Sequence, residues 1–191
     1  MSNKNKHKVV MFIAHPDDEI LFGYESIYQH YVNDVNDKEN FIVICFTNAD
    51  NKIRSDEFYK VMKLNNTTGI MLNLIDSDKN IGNWTYSNEY IYENYLKSVF
   101  LDFNVDFESN MLISHDKNGE YGHIQHKRVY NIALYVSNLL ENIKFYTFTE
   151  YRKIKNDGNK KELDIMRNKS LELYYSQRQT IKRYINFHSF F

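Results

Sequence analysis

The sequence is poor in the residues that cross-link, bend or anchor a chain. Its 191 residues include one cysteine, one proline and six glycines. A single cysteine excludes a disulfide within the chain, and no run of about 18 apolar residues could form a membrane-spanning helix. With so few turn-forming residues, we expect them to stand where the backbone is most constrained.

An excess of charge of either sign is also lacking. There are 24 basic and 25 acidic residues, which gives a formal net charge of -1. This balance supplies no attraction to nucleic acid or to an anionic membrane, so neither is a predicted partner. Residues 1–8 are polar and lead into no signal peptide, and we expect no membrane anchor. The lone Cys45, inside an apolar run, indicates a reducing, cytoplasmic compartment.

Residues that can form a core are abundant. Hydrophobic residues make up 42% of the chain and aromatic residues 16%, which disordered chains do not reach. No repeat or linker divides the sequence, so we predict one domain over residues 1–191. Within residues 152–191, a charged stretch at 152–162 predicts a loop, and 163–187 predict one or two helices packed on the domain.

Apolar runs of strand length alternate with helical periodicity. The runs predict five strands, at residues 9–14, 41–46, 70–75, 111–114 and 143–149. Helical spacing of apolar residues predicts helices that begin near residues 20, 55, 92 and 129. Because strands without polar alternation are buried on both faces, the predicted fold is α/β, with a mostly parallel sheet of about five or more strands flanked by helices.

Two of these strands end in residues that bind metals. The first strand runs into Ala-His-Pro-Asp-Asp-Glu (residues 14–19), and the fourth is followed by a stretch that ends in Gly-His-Ile-Gln-His (residues 122–126). The carboxyl ends of parallel strands meet at one edge of a sheet, which is where ligands bind in open α/β folds. We therefore expect the two motifs to lie close together.

The spacing within each motif suits a single ion. His15 and Asp18 are three residues apart at a strand-to-helix turn, and His123 and His126 are three apart at the start of a helix. Two imidazoles and a carboxylate form the ligand set of a catalytic zinc, although non-haem iron uses the same set. The structural alternative is a helix cap in the first motif and a polar helix face in the second. Their joint occurrence favours the metal.

The remaining side chains of the motifs fit hydrolysis. A catalytic zinc lowers the pKa of its water to about 7. Asp17, next to Asp18, could accept the proton of that water. His123 could then polarise the scissile carbonyl or protonate the leaving nitrogen. These residues predict metal-assisted hydrolysis of an amide or ester. His115 lies close in sequence, and no role is assigned to it.

Together the two motifs resemble the LmbE/PIG-L family of zinc-dependent N-acetylglucosaminyl deacetylases. The likeness extends to Phe-Thr-Asn at residues 46–48, an Arg-x-x-Glu pattern at 54–57 and Ser-Gln at 176–177. It implies a Rossmann-like fold in which His15, Asp18 and His126 bind one zinc per chain and Asp17 is the general base. The implied reaction converts an N-acetylated amino sugar, of N-acetylglucosamine type, to free amine and acetate.

The resemblance also implies roles around the substrate. His123 would stabilise the tetrahedral intermediate or act as the acid, Tyr121 would assist at the carbonyl oxygen, and Arg54 would contact the sugar or its substituent. The structural alternatives are a packed loop aromatic for Tyr121 and an ion pair with Glu57 for Arg54, which contributes little at a surface.

The sequence departs from the family pattern in several places. Gln125 stands where many relatives have an acidic residue. An amide cannot stabilise an imidazolium as a carboxylate does. If the residue at position 125 tunes His123, the acid role of His123 is therefore weaker here or is assisted from elsewhere. Tyr174 occupies the position of a late family histidine. The chain is shorter than many relatives and lacks the membrane anchor of the eukaryotic enzymes, which favours a soluble sugar, nucleotide-sugar or sugar conjugate over a membrane glycolipid.

Two other functions remain open from the sequence. One is an amidase that acts on another sugar conjugate, and the other is a carbohydrate-binding relative that retains the metal without turnover. A nucleotide-binding Rossmann protein is disfavoured because no Gly-x-Gly-x-x-Gly follows the first strand.

Overall fold

The chain forms a five-stranded sheet in which every pair of neighbouring strands is parallel. The computed structural model describes residues 8–33, 40–76, 84–103, 105, 111–140, 143–154 and 160–188. The strands are β1 (Val9–Ile13), β2 (Phe41–Thr47), β3 (Thr68–Leu74), β4 (Met111–Ser114) and β5 (Lys144–Thr147). They are arranged in the order β3-β2-β1-β4-β5. The predicted α/β fold with a parallel sheet is confirmed.

Each of the five strands is followed in the chain by at least one helix. They are α1 (Asp18–Leu21), α2 (Tyr24–Asn33), α3 (Lys52–Leu64), α4 (Asn88–Ile91), α5 (Lys97–Asp102), α6 (Gly119–Gly122), α7 (Ile124–Leu139), α8 (Phe148–Ile154), α9 (Lys160–Leu173) and α10 (Arg178–His188). A π-helical turn (Tyr92–Leu96) joins α4 to α5, and a 3₁₀ turn (Tyr175–Gln177) precedes α10. In the described part of the chain, no helix combines the length and apolarity needed to cross a membrane.

Both faces of the sheet are buried. Met11 and Ile13 of β1 belong to a cluster with apolar residues of α2, α3, α8 and α9. Val10 and Phe12 point the other way and belong to a second cluster with residues of α5 and α7. Since successive side chains of a strand alternate between faces, a continuous apolar run is what a strand covered on both sides requires.

The first predicted helix is broken in two. A Cβ atom at Gly23 would lie 2.7 Å from Met11 Cε and 2.8 Å from Phe148 Cε1, so glycine lets the backbone pass close to the core there. The helical spacing that starts at residue 20 therefore spans α1 and α2, which are separated at Phe22 and Gly23. Hydrophobic spacing alone does not detect a break that keeps the same face buried.

The prediction of a loop over residues 152–162 is wrong at both ends, where the chain is helical. Helix α8 continues to Ile154 and α9 begins at Lys160, while residues 155–159 lie outside the described ranges. The charged side chains of these helix ends are exposed, so the stretch has no apolar stripe to signal a helix. The helices predicted at residues 163–187 are confirmed as parts of α9 and α10.

Polar contacts attach the C-terminal helices to the sheet domain. The buried Tyr174 hydroxyl donates to Glu19 Oε1. Ser176 donates from its backbone nitrogen to Glu57 Oε1 (2.9 Å) and from Oγ to Glu57 Oε2 (2.6 Å). Arg167 of α9 donates to two carbonyl oxygens of α1. The late Ser-Gln pair and the glutamate of the Arg-x-x-Glu pattern are thus joined by hydrogen bonds.

Tyr174→Phe should lower the free energy of unfolding by about 1–3 kcal/mol, because the buried Glu19 carboxylate loses a hydrogen-bond donor. Urea denaturation measures this change. Tyr175→Phe is the control, since Tyr175 is 54% exposed and should tolerate the change. Equal stability of the two variants would contradict the contact.

Candidate metal centre

The two metal-binding motifs meet where the strand order of the sheet reverses. The chain passes from β1 to β2 and β3 on one side, whereas β4 and β5 lie on the other side of β1. Ligands of open α/β sheets bind at this position. The motif after β1 and the motif after β4 come from adjacent strands, so the structure brings them together as expected.

The Asp18 carboxylate is at the centre of this cluster. Its Oδ2 lies 3.3 Å from His15 Nδ1 and 3.4 Å from His115 Nε2, and its Oδ1 lies 3.4 Å from His126 Nε2. Burial by itself would raise the pKa of Asp18, but the surrounding imidazoles hold that pKa well below its usual range. A buried, ionised carboxylate is therefore surrounded by three imidazole rings.

Two overlapping sets of side chains bring potential ligand atoms within 4.8 Å of one another. One set is His15, His123 and His126, and the other is Asp18, His115 and His126. The predicted set of His15, Asp18 and His126 combines members of both, and Asp18 contacts its two histidines directly. All three predicted ligands thus lie in one cluster, in which His126 is the shared residue.

His115, to which the sequence assigned no role, is a fully buried member of the cluster. The backbone N–H of Ala14 donates to its Nε2 (3.1 Å), and its Nδ1 lies 2.9 Å from Glu120 Oε2. The Nε2 lone pair is therefore occupied by the backbone of the first motif. We infer that His115 joins the two motifs. Of the other histidines, His30 packs against Phe41 in a tilted arrangement (5.3 Å between ring centroids), and His7 and the side chain of His188 lie outside the described residues.

Glu120 orients the second histidine of the set. Its Oε2 accepts from His126 Nδ1 (2.6 Å), and its Oε1 accepts from the Asp116 backbone N–H (3.0 Å). With Nδ1 as donor, His126 directs its Nε2 lone pair towards Asp18, and this buried Nε2 makes no hydrogen bond within the described residues. A carboxylate behind a histidine is the usual outer partner of a metal ligand. Sequence reasoning missed Glu120; its only signal is an acidic residue between two glycines.

Gln125 orients the first histidine. Its Nε2 donates to the Ile75 carbonyl (3.1 Å), which leaves Oε1 facing His15 Nε2 at 2.6 Å. His15 therefore donates from Nε2 and presents Nδ1 to Asp18. The amide that departs from the family pattern thus acts on His15, a predicted ligand.

The charge around His15 favours a cation. Burial lowers the pKa of His15, but its contacts with Asp18 and Asp76 outweigh burial and raise that pKa to about 10. The same carboxylates would stabilise a metal ion. His126 Nε2 accepts no hydrogen bond from the described residues and faces the ionised Asp18, so the buried His/Asp group is compatible with a divalent cation.

A cleft of about 540 Å³ adjoins the cluster and contains the predicted catalytic residues Asp17, His123 and Tyr121. Asp17 has a left-handed backbone (φ 108°), and burial together with the neighbouring Asp18 charge raises the pKa of Asp17. Tyr121 is 52% exposed, and its ring centroid lies 5.3 Å from that of His126. Tyr121 is thus a cleft residue and not the fully packed aromatic of the alternative.

Arg54 also lines the cleft, where it is bound to the first motif. Its Nη2 donates to the Pro16 carbonyl (3.1 Å), and its Nη1 donates to Asp76 Oδ2 (3.0 Å). The structure does not show the alternative ion pair between Arg54 and Glu57. Arg54 pairs with Asp76 instead, and Glu57 accepts hydrogen bonds from Ser176.

Sequence comparison finds a viral relative. The chain is 30% identical over 140 residues to the uncharacterized protein L374 of Acanthamoeba polyphaga mimivirus. The match covers 63% of this chain and 53% of that protein, so the chain spans about half the length of the relative. No family model matches the sequence.

Solved structures share the fold at low sequence identity. A deacetylase of the teicoplanin biosynthesis pathway, in a complex with bog, has a TM-score of 0.64 at 11% identity, over 89% of this chain and 84% of that one. The zinc-inhibited form of teicoplanin deacetylase Orf2 has a TM-score of 0.63 at 11% identity, with the same coverage. The hydratase GalB of Pseudomonas putida has a TM-score of 0.51 at 11% identity, over 70% and 56%. The likeness shows the fold, and the fold is shared by a deacetylase and a hydratase.

If the cluster binds a divalent cation, Glu120→Gln should weaken the binding of zinc, used as the probe, about 10- to 100-fold, because an amide replaces the carboxylate that orients His126. Titration calorimetry with zinc measures the affinity. Glu172→Gln, an exposed change on α9, is the control and should bind zinc like the unmodified protein. Unchanged affinity in Glu120→Gln would contradict its orienting role.

Proposed function

We propose that this protein is a zinc-dependent deacetylase of LmbE/PIG-L type that acts on an N-acetylated amino sugar. The observation that carries the proposal is the buried Asp18 carboxylate, in contact with His15 and His126, beside a cleft that contains Asp17. The fold shared with teicoplanin deacetylase supports it. The fold alone would not, because GalB has it too.

In this proposal His15, Asp18 and His126 hold the zinc, and Gln125 and Glu120 orient the two imidazoles. When bound, zinc polarises the amide carbonyl and lowers the pKa of water, which makes hydroxide available near neutral pH. Iron would bind the same donors, so the choice of metal is part of the proposal.

The reaction also requires a group that moves protons. Asp17 accepts the proton of the attacking water and passes it to the nitrogen of the leaving amine. Burial and the neighbouring Asp18 charge raise the pKa of Asp17, which makes its carboxylate a stronger proton acceptor than that of a solvated aspartate. The Asp17 backbone is left-handed, and its N–H donates to Glu19 Oε2 (3.1 Å), which holds Asp17 in place beside the cleft.

The carbonyl oxygen of the substrate gains negative charge during the attack. His123 and Tyr121 line the cleft and are placed to donate hydrogen bonds to this oxygen, which stabilises the transition state. Arg54, fixed by Asp76 and the Pro16 carbonyl, contacts the sugar. The products are acetate and an amino sugar.

The test is acetate release from N-acetylglucosamine and its conjugates. A chelator should abolish the release, and added zinc should restore it. Amide substrates other than acetamides separate deacetylase from amidase activity. A carbohydrate-binding relative without turnover would bind zinc and sugar and release no acetate from any substrate.

Asp17→Asn should lower kcat about 100- to 10,000-fold, because an amide cannot accept the proton of water. Zinc content should stay at one ion per chain. Steady-state acetate release and metal analysis measure the two quantities. Asp56→Asn, an exposed change on α3, should keep full activity. Full activity in Asp17→Asn would exclude it as the base, and loss of zinc would make it a ligand.

A further inference from the structure

The cleft is larger than hydrolysis of an acetamide requires. Its volume of about 540 Å³ lies within the ~300–1,000 Å³ of pockets that bind drug-sized ligands. His15, Asp17, Asp18 and His123 form only one part of its lining, which we call the metal end. The remaining space is available to the rest of the substrate.

The C-terminal segment lines another part of the cleft, which we call the helix end. Its residues are Gln177, Thr180, Arg183 and Tyr184. Residues 177, 180 and 184 are three and four apart, so they share one face of α10 and the turn before it. An amide, a hydroxyl, a guanidinium and a phenol thus face the cleft, and all four can donate hydrogen bonds.

The two arginines of the cleft differ in their partners. Arg54 is neutralised by Asp76 at 3.0 Å and also donates to the Pro16 carbonyl. No carboxylate among the described residues forms an ion pair with Arg183. The positive charge of Arg183 is therefore available to a ligand.

An ordinary solvated side chain is the alternative explanation for Arg183. Arg178 and Lys182 on the same helix are exposed as well, but neither lines the cleft. In the proposed function the metal end holds the zinc and the amide that is hydrolysed, and the nearby Arg54 is already neutralised by Asp76. An anionic group on the substrate would therefore lie at the helix end.

We propose that the substrate is an N-acyl amino sugar that carries an anionic group, a phosphate or a carboxylate, and that Arg183 binds this group. This inference rests on the proposed function. A guanidinium pairs with both kinds of oxyanion through two parallel hydrogen bonds, which an uncharged hydroxyl of a sugar cannot match. Thr180 and Gln177 are placed to donate further hydrogen bonds to it.

The test compares kcat/KM of the zinc-loaded protein for neutral N-acetylglucosamine, N-acetylglucosamine 6-phosphate, N-acetylglucosamine 1-phosphate and the carboxylate-bearing N-acetylmuramic acid. At least one anionic substrate should be preferred by about 10-fold or more. Arg183→Gln should lower kcat/KM for that substrate about 10- to 100-fold, the size of one charge-assisted contact, and leave the neutral substrate unchanged. Arg178→Gln should change neither.

A direct binding measurement separates this inference from the proposed function. Calorimetric titration with the amino-sugar products, neutral and anionic, should show tighter binding of an anionic one, and Arg183→Gln should remove the difference. If the anionic sugar binds through Arg183 and no acetate is released from any substrate, the proposed function fails and the anion site stands. Equal affinity for neutral and anionic sugars, or equal losses for both in Arg183→Gln, would overturn the anion site.

Discussion

The Asp18 carboxylate is the constraint on which the rest of the site depends. A charge this deeply buried must be compensated, and here the compensation comes from imidazoles in the segments that follow two strands, which are distant in sequence and adjacent in the sheet. His115 ties the cluster to the Ala14 backbone, so the first motif and the fourth strand are fixed relative to each other. A fold in which β1 and β4 were not neighbours could not build this cluster.

The backbone around Asp18 is held in conformations that most residues avoid. Four of the residues with positive φ belong to the two motifs, namely Asp17, Gly119, Glu120 and Gly122. Two of these carry side chains, and both side chains have roles in the site, which is where such strain is typically found. Pro16 directly precedes Asp17, and two of the six glycines flank Glu120. The few turn-forming residues of the chain are thus concentrated where the backbone must place a carboxylate.

Much of the fold could be predicted because it depends on local patterns. Apolar runs located all five strands, and their lack of alternation indicated a sheet buried on both faces. The break at Gly23 and the extent of α8 and α9 were missed, since one depends on packing against Met11 and the other on helix ends without an apolar stripe. The outer partners of the histidines were missed for a related reason. Gln125 meets His15 across 110 positions, and no local spacing reports such a contact.

The C-terminal segment contacts the first motif and also lines the cleft. Tyr174 donates to Glu19 Oε1, and Glu19 Oε2 accepts from the Asp17 backbone N–H. The same segment continues through Ser176, bound to Glu57, into the helix that lines the cleft. The residue that holds the proposed base in place and the helix proposed to select the substrate therefore belong to one stretch of chain. The proposed base lies beside the predicted ligand Asp18, so the C-terminal segment supports part of the predicted metal set as well, whereas His126 of α7 is held separately by Glu120.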